Sequence, residues 1–448
     1  MSKGKLNNKD KGGNVSPAEV DVITLGCSKN LVDSERLMHQ FADSGIAARH
    51  NPDENAGVSP VIVINTCGFI GDAKEESINT ILQYAALKSD GQVKKIIVMG
   101  CLSERYREVL PAELPEVDVW YGKFDWVNVV SDLSRERAAE ADYRRVLSTP
   151  PHSAYLKIAE GCNRFCAFCA IPLITGRFKS RPIEEIVEEV KSLTNKGVTE
   201  LNVIAQDLSS YGLDIYGKKS LAELITAISE VEKVKWIRLH YAYPADFPYD
   251  ILPVMRDNPK VCKYLDIALQ HISDRVLTNM RRHISADETR ALIRRIREEV
   301  PGIHLRTTLM VGFPGEEDAD FEELKQFVAD VRFERMGAFA YCEEDDTYAA
   351  KHLPDVIEDS VKQQRLDEIM QMQEEISFEI QQDKVGKIFE VVVDREDDDY
   401  YVARTQFDSP EVDPEVLIRK DVKLTPGQYY SVKVVEALPF ELIAEVCQ

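Results

Sequence analysis

Along the first third of the chain, short apolar runs alternate with stretches in which apolar residues recur every three or four positions. The runs at 20–25, 61–64, 95–99 and 117–121 read as strands, and the amphipathic stretches at 31–42 and about 73–87 as helices. This βα alternation predicts a parallel sheet with helices on both faces. The theme returns with strands at 155–159, 201–205, 236–241, 265–268, 304–311 and 337–341, separated by helices that include 183–196, 221–231 and 318–331. Six βα units predict a partial, open-sided (βα)6 barrel of TIM type. Residues 357–384 read as one long helix, with apolar positions at Leu366, Ile369, Ile376 and Ile380, that packs on the barrel. From 385 the period changes to two, with strands at 388–393, 400–403, 416–418 and 430–435 and turns such as Pro426-Gly427 between them. A small antiparallel β-barrel is expected there. The fold class is multidomain α/β: a leader at 1–19, an N-terminal α/β domain at 20–135, the barrel with its linking helix at 150–384, and the β-barrel at 385–448.

Composition narrows the class without naming a function. A chain of 448 residues is too long for one core, and its 44% hydrophobic content is that of an ordinary soluble protein. No apolar run has the length of a membrane span. The Lys-, Gly- and Asn-rich start has no apolar core, so it is not a signal peptide, and a disordered leader on a cytoplasmic protein is expected. The net charge of −22 argues against a general nucleic-acid binder. It suits either a cationic partner or plain solubility. Nine cysteines without a secretion signal favour metal or catalytic roles over a disulfide framework.

The sharpest chemistry lies in Cys162-Asn163-Arg164-Phe165-Cys166-Ala167-Phe168-Cys169, just after the first barrel strand. Four thiolates would complete a structural zinc or a ferredoxin-type cluster. Three thiolates on one loop leave a position open, and an iron–sulfur cluster so held keeps one iron for a ligand. A zinc knuckle would want a fourth Cys or His nearby, and none follows Cys169 closely. Disulfides are disfavoured by the short spacings and by a reducing compartment.

A second trio is spread through the N-terminal domain. Cys27, Cys67 and Cys101 each end one of its first three strands, where open α/β sheets bind ligands. A single strand-end Cys is usually a small buried hydrophobe, but three at one topological position could meet at one metal site. Gly26, Gly68 and Gly100 beside them would let backbone approach a bulky group. Asn30 and Asn65-Thr66 either donate to sulfur or cap helices.

The eight-residue cysteine loop resembles the signature of the radical S-adenosylmethionine (SAM) enzymes. Strand-end cysteines, a radical-SAM barrel and a small TRAM-like β-barrel together resemble the methylthiotransferases, over nearly all of the chain from Val20. Leu25-Gly26-Cys27-Ser28-Lys29-Asn30-Leu31-Val32-Asp33-Ser34-Glu35 resembles the branch that modifies a ribosomal protein, the RimO family; the tRNA-modifying branch usually carries Gln-Met at Ser28-Lys29. The resemblance implies two 4Fe-4S clusters, one on Cys162, Cys166 and Cys169 that cleaves SAM, the other on Cys27, Cys67 and Cys101 that carries an exogenous sulfide. SAM then serves as both methyl and radical source. The implied reaction places a methylthio group on the β-carbon of an aspartate in small-subunit ribosomal protein twelve, free or ribosome-assembled. It also implies an electron donor such as flavodoxin or ferredoxin, a monomeric chain, and no membrane or DNA partner.

Weaker signals sit on the barrel. Gln206 and Asp207 end its second strand and are candidates for SAM or substrate contact. Gly312, in Val311-Gly312-Phe313-Pro314-Gly315-Glu316, resembles the family's turn on the adenine side of SAM. Leu269-Gln270 with Ser273-Asp274-Arg275 also resembles a stretch of the family. Arg181, with Arg177 and Lys179, forms a basic run that would meet either the SAM carboxylate or the substrate aspartate. The plain alternative for each is a strand-end turn, a helix cap or a solvated turn. Cys262, Cys342 and Cys447 read as ordinary thiols.

The other reading with the same chemistry is a tRNA adenosine methylthiotransferase. Residues 385–448 hold fourteen acidic and seven basic side chains, a net of −7. An RNA-binding barrel would need a positive face, whereas an acidic one suits a basic ribosomal protein. Asp397, Asp398 and Asp399, next to Tyr400-Tyr401, are the candidate docking surface.

Overall fold

A computed structural model describes residues 19–134 and 143–447. The expected leader lies outside the described residues except for Glu19. Two compact units result, the first within Met1–Gly68 and Asp72–Val146, the second within Phe69–Gly71 and Leu147–Gln448. No helix among the described residues is long and apolar enough to cross a membrane.

The first unit is built on a parallel sheet of β1 (Glu19–Thr24), β2 (Ala47–His50), β3 (Val61–Thr66), β4 (Lys95–Gly100) and β5 (Val119–Trp120), in the order β2-β1-β3-β4-β5. Central β3 is buried at every position. Val61 and Val63 face a core with Leu37, Phe41 and Val129, while Ile62 and Ile64 face one with Ile81 and Leu102. Burial on both faces is why the run is unbroken rather than alternating. The sequence pattern gives no strand at Ala47–His50. This edge strand needs only backbone pairing with β1, plus the Arg49 guanidinium, which donates to buried Asp21 at 2.7 and 2.9 Å.

The second unit opens with six strands, β6 (Ser153–Lys157), β9 (Glu200–Ile204), β10 (Trp236–Ala242), β11 (Val261–Ile267), β12 (His304–Val311) and β13 (Arg335–Ala340). They are all parallel and pair in that order, with β6 and β13 left as the two edges. An antiparallel pair, β7 (Ala159–Glu160) and β8 (Lys179–Ser180), branches off after β6. The outward side chains of the six strands pack under helices, including the long helix Asp359–Gln382, in one continuous core.

The C-terminal strands β14 (Ile388–Glu396), β15 (Tyr400–Thr405), β16 (Glu415–Arg419), β17 (Tyr429–Ala437) and β18 (Glu441–Val446) close into a barrel. It is antiparallel at all ladders but β16–β18, which is parallel. Five is odd, so a closed ring of alternating strands must contain at least one parallel pair. Strand β18 supplies it.

Buried ion pairs fasten this small barrel to the amino ends of the βα strands. Arg404 donates to both Glu200 carboxylate oxygens, at 2.9 and 2.7 Å, and to both oxygens of Asp394. Arg238 also pairs with Glu200, and Arg335 donates to Asp408 at 2.6 Å. Burial by itself would raise the Glu200 pKa. Arg404 and Arg238 outweigh it and hold the carboxyl far below its usual 4.5. Glu200→Gln is therefore expected to cost about 3–5 kcal/mol by leaving two buried guanidinium groups short of charge. The contribution is complete above the unfolded value near 4.5 and is lost as the pH falls from there through the folded value. Amide exchange at Tyr400–Thr405 is the readout, and an unchanged exchange rate in the variant would contradict the account.

Candidate functional site

The three-cysteine loop runs between β7 and β8, so the ladder Ala159↔Ser180 and Glu160↔Lys179 closes its neck. Gly161 sits in this neck at φ +80°, and a Cβ there would lie 2.2 Å from the Arg177 carbonyl oxygen. Cys162 N–H donates to the Gly176 carbonyl, Phe178 N–H to Asn163 Oδ1, and Ala167 N–H to the Met280 carbonyl. The loop thus stands at the carboxyl end of the first barrel strand, where such barrels carry their chemistry. Cys162, Cys166 and Cys169 are all partly buried. Burial pushes the Cys162 thiol up to about 12 and raises Cys169 as well, so a metal must displace their protons on binding.

Two arginines brace the loop. Arg164, inside the motif, donates from Nε to Asp207 at 2.7 Å and from Nη2 to Ser210 at 3.2 Å. Asp207 in turn accepts from the Ser209 N–H and the Ser210 hydroxyl. Arg282 donates to Cys166 Sγ at 3.2 Å, and both guanidinium groups lie 4.2 Å from the centre of the Tyr243 ring. Arg164 was available to sequence reasoning as a motif residue. Arg282 and Tyr243 carry no sequence signal, because their tie to the loop is made only in three dimensions.

The other sequence candidates divide. Gln206 donates to Glu160 in the loop's neck, and Glu160 is held by Lys157 at 2.8 Å. Asp207 meets the loop through Arg164. At Gly312, φ is +71° and the backbone N–H donates to Glu316 at 2.8 Å, while Lys362 fills the space where a Cβ would stand. Arg181 is buried, pairs with Glu189 at 2.6 Å and donates to the Lys157 carbonyl. Arg177 stacks 4.5 Å from the centre of the Phe165 ring, and Lys179 is exposed. The basic run is therefore split three ways rather than presented as one patch. Ser273 and Arg275 bond to Asp320 on a neighbouring helix, and Gln270 bridges to Leu309.

In the first unit, adjacent β1, β3 and β4 end level with one another, Thr24 opposite Asn65 and Thr66 opposite Gly100. This register sets Cys27, Cys67 and Cys101 on neighbouring strand ends. Cys27 precedes the helix Ser28–Asp43 and Cys101 begins the helix Cys101–Arg105. The glycines serve the cysteine loops themselves. A Cβ on Gly26, at φ +83°, would lie 2.5 Å from Cys67 Cβ, and one on Gly68 would lie 2.6 Å from Leu102 Cα. Asn30 is the hub. Its Nδ2 donates to the Leu25 and Thr66 carbonyls, and its Oδ1 accepts from the Cys101 thiol at 3.5 Å and from Lys123 Nζ at 3.4 Å. Lys123, buried and paired with Asp33 at 3.0 Å, is a cation beside this trio that sequence reasoning missed.

Asp397, Asp398 and Asp399 form the exposed tip between β14 and β15. Lys420 reaches the Asp398 carbonyl at 3.2 Å and Arg395 lies 3.5 Å from Asp397, so cations frame the tip without covering it. Cys262 packs among Trp236, Tyr264 and Val392, Cys342 is exposed and Cys447 is partly buried.

Soft thiol donors in two sets of three suit iron–sulfur clusters. Among the described residues, no three His, Cys, Asp or Glu side chains gather tightly enough for one metal ion.

Comparison with known proteins follows the same division. The Radical SAM superfamily model matches residues 156–328, the model of Uncharacterized protein family UPF0004 matches 19–122, and a TRAM domain model matches 385–447. A protein of Parabacteroides distasonis named Ribosomal protein uS12 methylthiotransferase RimO is 58% identical over 428 residues, covering 96% of this chain and 99% of its own length. A Porphyromonas gingivalis protein of the same name is 58% identical over 429 residues, covering 95% and 98%. Among solved structures, the radical SAM methyltransferase TsrM from Kitasatospora setae, with cobalamin and a 4Fe-4S cluster bound, overlays with a TM-score of 0.54 at 13% identity, covering 72% of each chain. The radical SAM enzyme OxsB gives 0.51 at 11% identity, covering 80% of this chain and 56% of its own. These two likenesses are of fold alone.

Proposed function

The chain belongs to the RimO family of ribosomal protein uS12 methylthiotransferases, and from that premise we propose that it places a methylthio group on the β-carbon of one aspartate of uS12. The observation that carries the reading is identity of 56–58% along nearly the whole chain with relatives named for that activity. The tRNA alternative is not favoured, since those names specify a protein substrate and the C-terminal barrel bears a net charge of −7.

The enzyme uses SAM and iron–sulfur chemistry. In our reading Cys162, Cys166 and Cys169 hold one 4Fe-4S cluster and Cys27, Cys67 and Cys101 a second, with sulfide as the transferred sulfur. When bound, SAM and a reduced cluster supply a radical able to take hydrogen from an unactivated carbon, which side-chain acids and bases do not reach. The chain's own residues hold the parts in place. Asp207 fixes Arg164 and with it the cysteine loop. Gln206 extends from the second barrel strand to Glu160 at the loop's neck, which supports it as a residue facing the cofactor. Gly312 contributes a turn whose N–H is already used, and Arg181 supports the neck from Lys157. Domain boundaries at 20–135, 150–384 and 385–448, a flavodoxin- or ferredoxin-type electron donor, a monomeric state and a cytoplasmic location complete the proposal.

The acidic tip is assigned to docking of the basic substrate. Charges at a rim raise association rate more than they deepen the bound state, and salt screens them over about 10 Å at 0.1 M. Changing Asp397, Asp398 and Asp399 to Asn is expected to slow uS12 association severalfold and flatten its salt dependence, with SAM cleavage unchanged. Stopped-flow binding across a salt series measures this. The same rate and slope in the variant would make the tip a solubility feature. The substrate class is tested with reconstituted enzyme, SAM, sulfide and reductant: purified uS12 is expected to gain the group and tRNA to stay unmodified, and the reverse would restore the RNA reading.

A further inference from the structure

Cys166 differs from Cys162 and Cys169 in what surrounds its sulfur. Arg282 donates to Cys166 Sγ from Nη1 at 3.2 Å and to the Ala268 carbonyl from Nη2. The Tyr243 hydroxyl lies 3.8 Å from the same sulfur and donates to the Arg282 carbonyl at 2.8 Å. Arg282 is 3% exposed, and its Nε–H is buried without a partner among the described residues. The backbone is left-handed on both sides of it, at Arg281 (φ 57°) and His283 (φ 54°). Such conformations are uncommon outside glycine, and two so close together persist where the surroundings demand them. A buried cation needs a matching negative charge. The acceptors Arg282 has among the described residues are the Ala268 carbonyl and the Cys166 sulfur, and a sulfur carries negative charge once it ligates a metal.

We propose that Arg282 raises the reduction potential of the iron–sulfur cluster held by Cys162, Cys166 and Cys169, acting as a positioning residue through the Cys166 sulfur. The inference rests on the reading of Cys166 as a cluster ligand. Reduction adds one negative charge to a cluster. A buried guanidinium bonded to one of its thiolates stabilises the reduced form more than the oxidised form, and hydrogen bonds to sulfur and net charge are the protein's levers on potential. Tyr243 keeps Arg282 in place through its hydroxyl, which donates to the Arg282 carbonyl at 2.8 Å.

The test is a reductive titration of reconstituted protein with mediators, following by electron paramagnetic resonance the signal whose shape changes when SAM is added. Iron content is measured on the same samples. Arg282→Gln is expected to load wild-type iron and to lower the midpoint by about 59 mV, the shift that a tenfold change represents for one electron. Arg282→Lys, which keeps the cation, is expected to recover part of the shift. A fully loaded Gln variant with the wild-type midpoint would overturn the proposal. Should the Gln variant fail to load iron, Tyr243→Phe decides. A lowered midpoint there supports the proposal and an unchanged one overturns it. A wild-type protein with no SAM-sensitive signal would instead fell the cluster reading, and the proposal with it.

Discussion

Replacing Cys162, Cys166 and Cys169 together with Ala is expected to abolish SAM cleavage and to leave about four of about eight irons per chain, on a count of four per cluster. The fold should survive the change. The loop's neck is held by the β7–β8 ladder, by Gly161 against Arg177 and by the Ala167–Met280 backbone bond, none of which uses a cysteine side chain. Iron assay on anaerobically reconstituted protein, with chromatography for 5′-deoxyadenosine, reads both effects. A variant that kept all its iron would show that this loop holds none.

The complementary triple, Cys27, Cys67 and Cys101 to Ala, is expected to lose methylthio transfer entirely while SAM is still reductively cleaved. Its iron should also fall by about half, again on four per cluster. Cys67 and Cys101 are buried in a unit with its own two-faced core, so that unit is expected to stay folded without the three sulfurs. The Asn30 hub keeps its bonds to Leu25 and Thr66 and loses only the Cys101 contact. Loss of SAM cleavage in a folded, half-loaded variant would mean that the strand-end trio also supports radical generation, and would merge two roles that are separated here.

Periodicity exposed the βα alternation because the strands are buried throughout, as in β3, or alternate along much of their length, as in β12. It missed Ala47–His50, an edge strand specified by backbone pairing and one Arg–Asp contact, and Glu441–Val446, whose place is set by the parity of a closed five-stranded ring. The cysteines of both trios were visible as spacing and as strand-end position. What spacing could not carry is which side chains surround the sulfurs. Asn30 stood out only as one of two alternatives, a donor to sulfur or a cap, and its Oδ1 proves to accept from the Cys101 thiol. Arg282 lies far along the chain from Cys166 and reaches it from a turn with left-handed flanks. Nor could spacing show that Arg181, a cation close in sequence to the loop, is paired with Glu189 on the following helix.

The central claim, that this chain modifies one aspartate of uS12, is tested most directly by mass spectrometry of uS12 purified from cells with and without the gene. With the gene present, one aspartate-containing peptide is expected to be heavier by a methylthio group in place of a hydrogen, and deletion should remove that difference completely. An unmodified uS12 in cells carrying the gene, or a modification that survives the deletion, would contradict the account.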